Sequence, residues 1–124
     1  MNEFGKFTRK LRIDRGEILK DMAKKLNVSA AYLSAAEIGK RKIPEEWIYN
    51  LSKLYDLTLS QINELKQAYV QSCDELKLNM KEANLKQKNL AINFAEGFAR
   101  LDEEEIDELL KILSKARSNA NDKY

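Results

Sequence analysis

The 124-residue chain reads as all-α, and three features of its sequence say so. One proline and four glycines leave few helix breakers among 44% hydrophobic and 34% charged residues. Apolar residues recur at three- and four-residue spacing along most of the chain, the period of a helix face. Polar capping residues stand at the segment starts: Thr58 with Gln61, and Asp102 with Glu105, each have the spacing of a capping box.

The elements follow in order. Phe4, Phe7 and Leu11 mark a first helix over roughly 3–14, ending near Gly16. Leu19, Met22, Ala23 and Leu26 mark a short second helix, with Ala23 small enough for close packing. Asn27-Val28-Ser29 is a turn in which Val28 plugs the core and Ser29 caps a third helix. That helix turns Leu33 and Ala36 inward and stops at Gly39. Pro44 suits the first turn of a fourth helix, striped by Trp47, Ile48, Leu51, Leu54 and Tyr55. Thr58 opens a fifth, with Leu59, Ile62 and Leu65 expected to face inward. Five short helices thus fill about 66 residues, and a short helix, tight turn and second short helix form a helix-turn-helix pattern.

Composition excludes much chemistry. With no histidine there is no His-based triad, proton shuttle or His-containing zinc site. Cys73 is the only cysteine, so it makes no internal disulfide and no Cys cluster; it reads as a small, reduced hydrophobe. Carboxylates are plentiful, but no pattern holds two of them around a substrate. The chain is expected not to be an enzyme and to need no cofactor. No run approaches eighteen apolar residues, and Met1-Asn2-Glu3-Phe4 lacks a signal core, so a soluble, cytoplasmic protein is expected.

The formal net charge of +2 hides an asymmetry. Residues 1–44 hold eleven Lys/Arg against five acids, a balance of +6; residues 45–124 hold eleven against fifteen, a balance of −4. A basic front half is suited to a polyanion, most simply nucleic acid, though a solvated Lys-rich surface would have the same composition.

The spacing decides between these. Leu11-Arg12, Asp21-Met22-Ala23-Lys24-Lys25-Leu26-Asn27-Val28-Ser29, Tyr32-Leu33-Ser34, Glu37-Ile38-Gly39-Lys40-Arg41-Lys42 and Pro44 stand in a characteristic order. The segment from Phe4 to Leu65, about half the chain, resembles the lambda-repressor-like, or XRE, family of helix-turn-helix DNA-binding domains. The resemblance implies that the third helix enters the major groove of double-stranded DNA, with Ser29 at its start and Ala30, Ala31, Tyr32, Ser34 and Ala35 toward the bases. None of these is an Arg, Gln or Asn able to make bidentate base contacts, so modest direct readout supplemented by DNA shape is expected. Lys40, Arg41 and Lys42 stand where the family touches phosphates; Arg9, Lys10 and Lys20 are secondary candidates. Arg12 and Glu37 match positions that pair as a buried ion bridge between the first and third helices. The sequence departs from the family at the start of the second helix: Ile18 and Leu19 replace the usual Ser/Thr cap and phosphate-gripping Gln.

Beyond a helix-turn-helix domain at 1–66, residues 67–117 read as a helical dimerisation or interaction region and 118–124 as a loose tail. Leu76, Leu78 and Met80 alternate with polar residues, consistent with a short strand, an extended link or a frayed helix end. Residues 85–100 read as a helix with Leu90, Phe94 and Phe98 on one face, where Gly97 either permits close approach or weakens the helix. The helix from Asp102 carries Ile106, Leu109, Leu110 and Leu113. Leu90, Phe94, Phe98, Leu109 and Leu113 are the candidate dimer interface, the alternative being an intramolecular core. A dimeric repressor bound to operator DNA is the expected function. From a different class stands an antitoxin-like module whose rear half holds a partner protein such as a toxin.

Overall fold

The computed structural model describes residues 1–121, which contain seven α-helices, one 3-10 turn and no strand. The chain divides into two units, Met1–Lys77 and Leu78 onward. None of the described helices is long and apolar enough to cross a membrane.

The first unit packs five helices: α1 (Glu3–Arg15), α2 (Leu19–Lys25), α3 (Ala30–Glu37), α4 (Glu46–Leu54) and α5 (Leu59–Gln71). Local chemistry sets most of their ends. The Asn2 side chain accepts from the Gly5 N–H at 2.7 Å to start α1. Gly16 ends it at φ +66, a left-handed conformation that costs glycine little. Thr58 and Gln61 make the reciprocal capping box that opens α5, at 3.2 and 2.9 Å. Ile18 has no side-chain oxygen to offer α2, and the Asp21 carboxylate instead accepts from the Ile18 N–H at 2.9 Å. Pro44 lies just before α4 and accepts the Trp47 N–H at 3.1 Å in the turn that leads in.

All five helices contribute to one core: Phe4 and Leu11, Met22 and Ala23, Leu33 and Ala36, Trp47 and Leu51, and Leu65, with Leu26, Tyr55 and Leu57 from the connections. Trp47 lies at its centre, stacked on Phe4 at 6.1 Å and met edge-on by Tyr32 at 5.7 Å. Such aromatic geometries add roughly 0.5–1.5 kcal/mol per pair beyond area burial. Two apolar residues expected inside are outside: Leu59 is 82% exposed and Leu54 is also exposed. Leu59 is the first residue of its helix and, six residues before the buried Leu65, lies about 120° round the helix from it, off the inner face. The unit also reaches beyond residue 66, because α5 continues to Gln71 and Ser72 fastens it. The Ser72 hydroxyl accepts the Phe4 N–H at 3.0 Å and donates to the Ala68 carbonyl at 2.7 Å, tying the end of α5 to the start of α1.

A polar cluster closes the other end of this core. Tyr55 donates its phenolic proton to Glu17 at 2.5 Å, and Lys25 forms an ion pair with the other Glu17 oxygen. Arg15 donates to the Tyr55 carbonyl at 2.6 Å. Burial alone would raise the Glu17 pKa, but the hydrogen bonds from Lys25 and Tyr55, with the Lys25 charge, bring it below the ordinary 4.5. Burial, then the bond to Glu17, pushes the Tyr55 phenol well above its usual range.

The second unit holds α6 (Leu85–Gly97), a 3-10 turn at Phe98–Arg100 and α7 (Glu103–Asn121). Residues 76–80 are irregular, so the alternating segment is neither a strand nor a frayed end of α5, which stops five residues earlier. A lone alternating segment has no neighbour to complete its hydrogen bonds. The helix expected over 85–100 tightens at Gly97, which has no close packing neighbour where a Cβ would stand. The tail expected from Ser118 is helical through Asn121; residues 122–124 lie outside the described residues.

Because the folded Glu17 has a depressed pKa, its contribution is complete above the unfolded carboxylate value and fades as pH falls through the folded one. Glu17→Gln should therefore lower stability at neutral pH and flatten its decline between about pH 5 and 3. Urea denaturation across a pH series reads both effects.

Candidate nucleic-acid interface

The candidate surface is built on α3, and α3 is held by a buried ion pair at its last residue. Glu37 is 2% exposed and Arg12 6%. The guanidinium meets the carboxylate through two bonds, Nη1 to Oε2 at 2.6 Å and Nη2 to Oε1 at 3.1 Å. Thr8 donates its hydroxyl proton to the same Oε2, and the Arg12 Nη1 also lies 3.3 Å from the Met22 sulfur. Fork-on-fork geometry fixes direction as well as distance. Every buried side-chain nitrogen and oxygen among the described residues has a partner.

Asn2, which caps α1, completes this anchor. The Asn2 N–H donates to the Glu37 carbonyl at 2.9 Å, and its side-chain amide donates to the Ala36 carbonyl at 2.9 Å. These are carbonyls that a helix end leaves without internal partners. The approach is so close that a Cβ on Gly5 would stand 2.5 Å from the Glu37 carbonyl oxygen and 2.9 Å from its Cβ. Gly5 is thus required by packing rather than by its own torsions. Sequence reasoning passed over it, since a glycine inside a helix pattern carries no signal of what crosses it.

The structure places the predicted contact residues as follows. Ser29 caps α3 by accepting the Tyr32 N–H at 3.0 Å. Ser29 and Ala31 are exposed, and Ala30, Tyr32, Ser34 and Ala35 are half-buried. Ala30 and Tyr32 both pack against the core, and the Tyr32 ring meets Trp47 edge-on. Lys40, Arg41 and Lys42 are all exposed. Their loop is tied back to α3: Gly39 turns at φ +85, and the Lys40 and Arg41 N–H groups both reach the Ala35 carbonyl, at 2.9 and 3.3 Å. Three cations therefore start from a fixed point at the end of α3. At its other end, Lys20, Lys24, Asn27, Ser29 and Ala30 share a shallow depression of about 670 Å³ between α2 and α3. Lys24 was not singled out from the sequence, although its spacing from Lys20 puts both on one helix face.

The second unit has a different character. Leu90, Phe94, Phe98 and Leu113 are exposed and Leu109 is half-buried. Phe94 and Phe98 lie 5.6 Å apart and tilted, so they form one patch. No residue of α6 is buried, and α6 and α7 do not pack along one another.

Comparison with family models, curated proteins and solved structures finds no match for the chain.

Two substitutions test the anchor. Gly5→Ala should cost about 1–3 kcal/mol of unfolding free energy, the usual range for overpacking. Arg12→Met should cost about 3–5 kcal/mol by leaving Glu37 buried without its partner. Chemical denaturation measures both, and values within experimental error of the parent would remove the anchor from its role.

Proposed function

We propose that this protein is a DNA-binding transcriptional regulator of the lambda-repressor-like helix-turn-helix type, acting as a dimer on operator DNA. In this assignment α3 enters the major groove, presenting Ser29, Ala30, Ala31, Ser34 and Ala35. Lys40, Arg41 and Lys42 hold phosphates beside its end, and Lys20 and Lys24 lie toward the backbone flanking its start. A dimer would set two such helices on half-sites about 34–36 Å apart and exclude polymerase from an overlapping promoter.

The observation that carries the assignment is the pairing of a rigidly anchored helix with a cationic loop fastened to its last turn. Phosphate contacts position a protein on the duplex, and base contacts then specify the site. A surface of Ala and Ser reads bases weakly: alanine meets a thymine methyl and serine bonds to several bases. Much of the specificity therefore falls to DNA shape and deformability. With Ile18 and Leu19 at the start of α2, neither side chain can grip a phosphate there, and the Ile18 N–H is already taken by Asp21.

A second function is favoured by the exposed apolar residues of α6 and α7, which suit a protein partner held in an antitoxin-like manner. Partner capture and DNA binding separate the two.

Fluorescence anisotropy on a duplex from the region upstream of its own gene, beside an unrelated duplex of equal length, tests DNA binding. Tighter binding to the first, with steep loss as salt rises, is the expected result; equal weak binding to both would leave the protein-binding function. Changing Lys40, Arg41 and Lys42 together to Ala should weaken binding to every sequence. It should also reduce the slope of log K against log salt by up to about 2.7, since each phosphate contact contributes roughly 0.9. An unchanged slope would remove these residues from the phosphates.

A further inference from the structure

Along α7 a single seam reads Glu103, Ile106, Leu110, Leu113, Arg117. The steps are 3, 4, 3 and 4, the spacing that keeps one line of side chains on one face of a pairing helix. Its middle is apolar and uncovered: Ile106 is 37% exposed, Leu110 56% and Leu113 54%. Its ends are charged, with an acid at the first position and a base at the last, fourteen residues apart. That separation is about 21 Å along the helix, so the two cannot meet within one chain.

Charge selects the occupant of this seam. A second α7 laid parallel would put Glu103 on Glu103 and Arg117 on Arg117. Laid antiparallel, each Glu103 meets an Arg117, and the helix dipoles also oppose. Covering by α6 of the same chain is disfavoured by the same reasoning. A hairpin through residues 98–102 would bring Glu96 toward Glu103, Glu104 and Glu105, and Lys86 and Lys88 toward Lys111 and Lys115. Accordingly α6 and α7 do not pack along each other.

We propose that α7 pairs antiparallel with α7 of a second copy, about a twofold axis beside Leu110, closed at both ends by Glu103 of one chain on Arg117 of the other. The arrangement is self-complementary, as a twofold interface requires. Leu90 and Phe94 on α6 and Phe98 in the following turn are exposed too, and burying them in the same dimer would bring the interface toward the roughly 1,000 Å² of a specific one. This interface rests on the dimeric function proposed above and says which surface makes the dimer and in which direction.

Sedimentation equilibrium of the full chain tests it with Glu103→Arg, Arg117→Glu and the double exchange. Each single reversal places like charges at both ends of the seam and should weaken the dimer about tenfold, the scale of two exposed ion pairs lost and opposed. The double exchange should restore the parent's affinity, which also shows that the single variants fail by charge rather than by misfolding. A parent dimer indifferent to the single reversals, or a double exchange no better than either, would overturn the antiparallel seam and leave the dimeric function standing. A parent monomeric throughout would overturn both.

Discussion

Glu37 is a carboxylate enclosed almost completely by protein, and an isolated charge in such a place would cost far more than a small domain can absorb. The position of α3 follows from how that charge is met. Arg12 reaches it from α1 with two parallel bonds, Thr8 adds a third from one turn earlier, and Asn2 takes up the carbonyls at the end of the same helix. Both helices must then approach so closely that only glycine fits at position 5. A buried pair of this kind adds little net stability against an apolar replacement of the same shape. Its contribution here is directional: a bidentate bond specifies the angle at which α3 leaves the core.

That direction shapes the outer surface. Leu33 and Ala36 are spent on the core, and Tyr32 divides itself between the core and solvent by leaning on Trp47. What remains outward on α3 is small. The charge lies next to the helix rather than on it, in a loop whose backbone bonds to Ala35. In the proposed complex, affinity and register come from cations on phosphates, with the helix supplying shape complementarity more than hydrogen-bonded base readout.

The second unit shows that satisfied local rules do not by themselves make a core. The capping boxes at Asn84 with Gln87 and Asp102 with Glu105 are formed, and acids stand at the start of α7 where the helix dipole favours them. Yet large apolar residues on both helices remain exposed. Short helices draw most of their stability from packing an apolar face, so these faces are where association would stabilise the fold. The charges that end the α7 seam then give such an association a direction.

The sequence by itself determined what depends on near neighbours. Helix starts at Ser29, Thr58 and Asp102, and stops near Gly16 and Gly39, are legible because the donor, acceptor or permissive glycine lies within a few residues of the end it serves. The core positions of Leu11, Met22, Leu33 and Leu51 are legible for the same reason, since one face of a helix repeats along the chain. Arg12 and Glu37, the small residues of α3 and the cations of the following loop could be picked out as a group only through family resemblance. Tertiary structure decided what depends on distant parts of the chain. Leu59 stands three residues before Ile62 yet lies outside, because the core is filled there by Leu57 ahead of the helix and by Leu65 within it. Gly5, Ser72 and the Glu17–Tyr55 contact take their roles from groups 32 to 68 residues away. The alternating residues at 76–80 stay irregular among the described residues because a strand needs a partner, and no period within one segment can supply it.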